Sequence, residues 1–159
     1  MDKTNKLHVI TGEGKGKTTA AMGLALRMLG INKPVFIVQF MKQGNSSELV
    51  SLKKLPLAYV HEGAVMKGFT YQMDDDALDR TREEQTAEIG KIMEEIQRIQ
   101  PALIVLDELA VAASLMLVPP KEAMRLVEMG LEYGEVVVTG RGASKALIEK
   151  ADYVSLIQS

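Results

Sequence analysis

One stretch constrains this chain more than any other: Thr11-Gly12-Glu13-Gly14-Lys15-Gly16-Lys17-Thr18-Thr19. The short, mostly apolar run Leu7-His8-Val9-Ile10 ahead of it predicts a strand, and Ala20 to Leu29 behind it predicts a helix. A strand, a glycine-rich turn and a Lys-Thr pair opening a helix make the setting of a phosphate-binding loop. Glycines let backbone N–H groups turn inward on an anion. The helix N-terminus adds unpaired donors and the positive end of its dipole. Lys17 then brings a mobile charge to the outer phosphates, and Thr18 offers a hydroxyl to magnesium. The usual pattern has its first Gly five positions before Gly16, where this chain has Thr11. The loop is therefore expected to be one residue short or differently wound.

Beyond the loop, strand-like and helix-like segments alternate. Val35 to Phe40 is nearly all apolar and β-favouring, as a strand buried on both faces is. A short helix is expected over Glu48 to Leu55, and a third strand over Leu57 to His61. Glu62 to Met73 breaks all periodicity, and long irregular loops are often functional. Asp74-Asp75-Asp76 opens a helix whose apolar stripe is Ile89, Ile92, Met93, Ile96 and Ile99. Ala102 to Leu106 reads as a buried strand leading into Asp107-Glu108. A short helix follows over Leu109 to Leu115, and another from Pro120 to about Leu131. Val136 to Thr139 is a fifth strand, Ser144 caps a helix through Lys150, and Tyr153 to Ile157 is a last strand. Such alternation argues for an α/β domain with a mostly parallel sheet of five or six strands and helices on both faces. With 159 residues and no linker or repeat, residues 1–159 are expected to form a single nucleotide-binding domain.

Composition narrows the function. Net charge is −2, so no global basic field favours nucleic acid or an anionic membrane. There are no cysteines, which removes disulfides, thiolate metal sites and a cysteine nucleophile. Met1 to Lys6 leads straight into a strand and does not read as a signal peptide, and no apolar run reaches membrane-spanning length. A cytoplasmic protein is the simplest expectation. The ten methionines read as core filling.

In a parallel sheet, ligands bind beyond the strand C-termini. The phosphate loop, Gln39 to Gly44, Asp107-Glu108 and Thr139 to Gly142 are thus expected to be neighbours. Leu103 to Asp107 looks like a Walker B strand, with Asp107 placed to hold magnesium. Glu108 has two readings: a base that activates water for ATP hydrolysis, or a second magnesium ligand. Arg141, in Thr139-Gly140-Arg141-Gly142, could bind phosphate oxygens bidentately. Arg27 lies more than two turns from the phosphates, and spacing alone makes it a solvated helix residue. Phe69 and Tyr71, in Lys67-Gly68-Phe69-Thr70-Tyr71, either stack on a flat ligand or pack their loop onto the core. His8 and His61 have no second ligand at metal spacing and carry no assigned role.

Taken together, Thr11 to Ala21, Val38-Gln39-Phe40-Met41-Lys42, Gly68-Phe69-Thr70-Tyr71, Val105-Leu106-Asp107-Glu108-Leu109 and Thr139-Gly140-Arg141-Gly142 resemble the P-loop type of ATP:corrinoid adenosyltransferases. The resemblance runs from about Leu7 to Asp152. It implies a three-layer P-loop NTPase fold of the RecA-like kind. It implies transfer of the 5′-deoxyadenosyl group of ATP to cobalt(I) of a reduced corrinoid such as cobalamin, with tripolyphosphate leaving. In that family the nucleotide lies reversed in the loop, a natural companion to the shifted first glycine. By the same resemblance Gly12, Glu13, Gly14, Lys15, Gly16, Lys17, Thr18, Thr19 and Arg27 would contact ATP. Thr18, Asp107 and Glu108 would hold Mg2+, and Lys17, Glu108 and Arg141 would act in catalysis. Phe69 and Tyr71 would sit at the corrinoid face and displace the lower cobalt ligand. Cobalt is the nucleophile, so no protein base is required. The expected partners are ATP and reduced corrinoid, a flavoprotein electron donor and a second copy in a homodimer. Nucleic acid and membrane are not expected. The rival readings are a hydrolytic ATPase with Glu108 as base and Thr139 as phosphate sensor, and a nucleotide-binding regulator without turnover. The family commonly has asparagine at the position of Glu13 and tryptophan at that of Tyr71. It also has a basic and aromatic tail where this sequence stops at Ile157-Gln158-Ser159, so the chain reads as a short form.

Overall fold

The computed structural model describes residues 4–41, 46–62 and 74–159. The elements in chain order are β1 (Leu7–Thr11), α1 (Lys17–Gly30), β2 (Val35–Gln39), α2 (Ser47–Leu52), β3 (Ala58–Glu62) and α3 (Asp75–Ile99). They continue as β4 (Leu103–Asp107), α4 (Leu109–Ser114), α5 (Pro120–Tyr133), β5 (Glu135–Thr139), α6 (Lys145–Lys150) and β6 (Tyr153–Leu156). The order matches the expected one, with boundaries moved by one to three residues. The strand at 58–62 starts and ends one residue later than expected, and the helix at 47–52 is shorter.

The helix ends follow local chemistry. Asp74 caps α3, its carboxylate accepting the Ala77 amide at 2.7 Å, with Asp75 and Asp76 in the first turn. Gln100 closes that helix in the left-handed region, just before Pro101. Ser144 caps α6 by accepting the Leu147 amide at 3.1 Å. Pro120 occupies the first turn of α5, where its missing N–H costs nothing.

The strands form one six-stranded sheet in the order β3-β2-β4-β5-β1-β6, every pair parallel. β2 and β4 are buried at every position, which explains their unbroken apolar sequences. On one face Ala21, Met22 and Ala25 of α1 and Leu49 and Leu52 of α2 pack on Ile10, Ile37, Val105 and Val137. On the other, Ile89, Ile92 and Ile96 of α3 meet Leu126 and Val127 of α5 and Leu147 of α6 over Val9, Phe36, Ile104 and Val138. This is a three-layer α/β fold of the P-loop NTPase kind. Ile92 and Ile96 are fully buried, and truncating either to alanine costs about 2–5 kcal/mol.

Because every strand runs the same way, all six C-terminal ends share one edge. Gln39 is the register partner of Asp107, and Thr139 lies one residue beyond the Leu106–Val138 pair. Gln39, Asp107 and Thr139 therefore form a polar row across β2, β4 and β5. The loop between β1 and α1 opens at the same edge.

Candidate nucleotide site

The loop begins where β1 stops. Thr11, at the position where the usual pattern has glycine, is buried and still paired with Leu156 of β6. Its hydroxyl donates to the Gly140 carbonyl at 2.7 Å and accepts the Ala143 amide at 3.3 Å. The shifted glycine thus has a structural cause: a side chain there ties β1 to the turn after β5. The loop then runs against the end of the last strand. The Ile157 amide donates to the Thr11 carbonyl, and the Gly14 amide donates to the Ile157 carbonyl, both at 2.9 Å. A Cβ at Gly14 would stand 2.8 Å from backbone atoms of Gln158, so only glycine fits so close an approach. The sequence reading placed Gly14 among the ATP contacts; its amide is already bonded to β6 here.

Lys17 opens α1 and is 8% exposed, its ammonium donating to the Gly14 carbonyl at 2.6 Å. The bond curls the side chain back over the loop, where an anion would lie. Thr18, half-buried, donates its hydroxyl to Asp107 Oδ1 at 2.8 Å. Thr139 donates to the same oxygen at 2.8 Å, and the Gln39 side chain bonds the carboxyl as well. Burial nonetheless pushes Asp107 above the ordinary carboxylate range, against the pull of these hydrogen bonds.

Glu108 follows in the left-handed region at φ 67, a conformation unfavourable by roughly 1–2 kcal/mol for a residue with a Cβ. Its amide donates to Thr139 Oγ1 at 2.9 Å and its carbonyl accepts the Ala112 amide. Burial pushes its carboxyl up, the neighbouring Asp107 charge pushes further, and Lys17 and Arg141 pull back. Glu108 therefore feels both cations of the site. Arg141 is exposed, with Nε 3.6 Å from Glu13 Oε2, across the mouth of the loop. Gly140, at φ 136, lets the β5 end press against α4, where a Cβ would meet the Val111 amide nitrogen at 2.7 Å.

Not every expected contact gathers here. Thr19 turns its hydroxyl away to Glu48 Oε1 at 2.5 Å, fastening α1 to α2. Arg27 lies ten residues along α1 from Lys17, about 15 Å on. There it lines a hollow of about 380 Å³ with Lys6, His8, Met28, Glu135 and Tyr153. Lys6 and Glu135 stand at the start of their strands, so that hollow lies at the edge opposite the loop. Arg27 itself is exposed. His8 bonds Ser155 and His61 bonds Glu88, each at 2.8 Å, which accounts for both histidines without a metal. Phe69 and Tyr71 lie outside the described residues. Sequence reasoning put Gln39 and Thr139 at this edge but did not see that both hold Asp107. Neither did it see β6 bracing the loop.

Among the described residues no three His, Cys, Asp or Glu side chains cluster as a metal cage. Two carboxylates and a hydroxyl, all hard oxygen donors, still suit Mg2+, which draws its remaining ligands from phosphates and water.

A family profile described as ATP:corrinoid adenosyltransferase BtuR/CobO/CobP matches residues 3–159. The corrinoid adenosyltransferase of Escherichia coli K12 is 31% identical over 98% of this chain and 77% of its own length. The corrinoid adenosyltransferase CobA of Salmonella typhimurium LT2 is 33% identical over 92% of this chain and 73% of its own. That of Pseudomonas aeruginosa PAO1 is 31% identical over 97% and 75%. The chain thus spans about three quarters of the length of these relatives. With a profile match over residues 3–159 and relatives at 31–33% identity, and with its glycine-rich loop opening at the C-terminal edge of the sheet, the chain belongs to the ATP:corrinoid adenosyltransferase family.

Proposed function

We propose that the phosphate loop from Gly12 to Thr18, together with Asp107, Glu108 and Arg141, forms the MgATP half of an ATP:corrinoid adenosyltransferase site. The observation that carries this is the Thr18–Asp107 hydrogen bond, which joins the loop to the acidic strand end beside Lys17. In the reaction the electron pair of cobalt(I) forms a bond to the ribose C5′. The C5′–O bond breaks, and its electrons leave on tripolyphosphate. Bound Mg2+ would neutralise part of that negative charge, held by Asp107, Glu108 and the Thr18 hydroxyl. Lys17 swings from the Gly14 carbonyl to the phosphates, and Arg141 adds a second cation at the mouth. The remaining loop amides and the α1 N-terminus orient the polyphosphate so that C5′ faces the corrinoid.

Residues 1–159 act as one nucleotide-binding domain in this reading. Phe69 and Tyr71 serve the corrinoid face, on the strength of the family resemblance. The same resemblance supports a flavoprotein reductant, a homodimer and a cytoplasmic location. No helix among the described residues is long and apolar enough to cross a membrane.

The test is anaerobic incubation with ATP, Mg2+ and chemically reduced cobalamin. Adenosylated corrinoid and tripolyphosphate should appear in step, with little ADP. Steady release of ADP and orthophosphate without corrinoid would overturn the reading.

A further inference from the structure

We propose that Thr139 is a positioning residue that sets the direction of both acidic groups of the site, and not a sensor of phosphate. The inference rests on the reading of Asp107 and Glu108 as the MgATP carboxylates. Thr139 is fully buried at the end of β5. Its hydroxyl has one proton, and that proton goes to Asp107 Oδ1 at 2.8 Å. A lone pair accepts the Glu108 amide at 2.9 Å. The hydroxyl thus has no proton left for a phosphate unless it lets go of Asp107.

Each bond has a separate consequence. The first works with Thr18, which donates to the same oxygen, so Oδ1 is held by two hydroxyls. The second pins the amide of a residue in the left-handed region, at φ 67, where a side chain is disfavoured. Without that acceptor the amide of Glu108 would lose its partner, and the turn that carries its carboxylate at the strand ends would lose its lock. The neighbouring register pair, Leu106 with Val138, is apolar on both strands. Thr139 is therefore where β5 passes from packing β4 to directing its chemistry.

The test compares Thr139→Val, which keeps the shape and removes the hydroxyl, with Thr139→Ser, which keeps the hydroxyl. Binding of a fluorescent ATP analogue is measured with and without Mg2+, beside thermal melts and steady-state kinetics. Thr139→Val should weaken the magnesium-dependent part of binding by about tenfold or more and lower kcat, while metal-free binding changes little. Thr139→Ser should restore both. A magnesium response unchanged in Thr139→Val would overturn the proposal. So would equal damage in Thr139→Ser, which would mark a packing role. Loss of binding to the same degree with and without Mg2+ would mark a phosphate sensor, and would also overturn it. If Thr139→Val does not fold, Thr139→Ala takes its place against the serine variant. Asp107→Asn separates the two levels. A normal magnesium response there would remove the site reading itself, whereas its loss alongside an unaffected Thr139→Val would remove only the role of Thr139.

Discussion

The Arg141 guanidinium and the Glu13 carboxylate stand 3.6 Å apart, Nε to Oε2, bridging the phosphate loop and the turn after β5. Both side chains are mostly exposed, so the pair adds little to stability. Its effect falls on the ligand. A polyphosphate entering the loop meets a negative charge and must draw Arg141 away from it. Glu13→Gln should therefore tighten ATP binding by about two- to five-fold, and the gain should shrink as salt is added. Titration at two ionic strengths checks this; a weaker complex would mean that Glu13 contacts the nucleotide favourably.

Lys17→Ala should leave the fold intact, because the ammonium's one hydrogen bond is to the Gly14 carbonyl. Catalytic efficiency should fall by about 10²-fold or more, since the lost charge faces the leaving group. Unchanged kcat/KM with a normal melt would end the assignment of the loop.

Stability without metal should depend on pH in a direction set by Asp107. Burial raises its folded-state pKa above the unfolded value, and Glu108 is raised likewise. A raised carboxylate favours the folded protein while protonated. This contribution is full below the ordinary carboxylate value of about 4 and is lost as pH rises through the folded value. Asp107→Asn should flatten that part of the slope and raise the metal-free melting temperature at neutral pH, while removing the magnesium response. Melts in chelator from acid to neutral pH provide the check, and a variant less stable at neutral pH would contradict it.

The contact between the loop and β6 can be probed with one methyl group. Gly14→Ala would press a Cβ against the Gln158 backbone, 2.8 Å away, which has no rotamer through which to escape. A loss of about 1–3 kcal/mol and weaker nucleotide binding are expected. Gly23, exposed on α1 with nothing within 4 Å of an added Cβ, is the control. Gly23→Ala should stabilise by roughly 0.5–1 kcal/mol and leave binding alone.

For the corrinoid side, Phe69→Ala and Tyr71→Ala should leave ATP affinity nearly intact. They should slow adenosylation more when cobalt(II) must be reduced in the site than when cobalt(I) is supplied. Equal losses with both cobalt states would remove the ligand-displacement role.

What was legible in the sequence follows from what is local. The loop, the acidic helix start at Asp74 to Asp76, the cap at Ser144, and the apolar runs of β2 and β4 are written in neighbouring residues, and each stands where it was expected. Asp107 was legible as a charged residue ending a buried strand. Gln39 and Thr139 were not legible as its partners. Their bonds depend on register across three strands far apart in the chain, and a register is not spelled out in any one of them. The same holds for Thr11, which looked like a missing glycine because its partners, Gly140 and Ala143, lie more than a hundred residues away. The place of Arg27 on α1 follows from helix spacing, but the hollow it lines with residues of β1, β5 and β6 was not legible in the sequence.

The pairing of β1 with β6 has a consequence for how the protein is made. Among the described strands β1 comes first in the chain, and its outer neighbour β6 comes last. The Leu7 amide bonds the Asp152 carboxylate, and the Gly14 amide waits for the carbonyl of Ile157. A chain that ends between α1 and that residue carries every side chain of the phosphate loop but lacks the acceptor that fixes the Gly14 amide. Closing so long a loop comes late and slowly in folding. The bracing of the phosphate loop is therefore a long-range contact, completed only when β6 has docked beside β1.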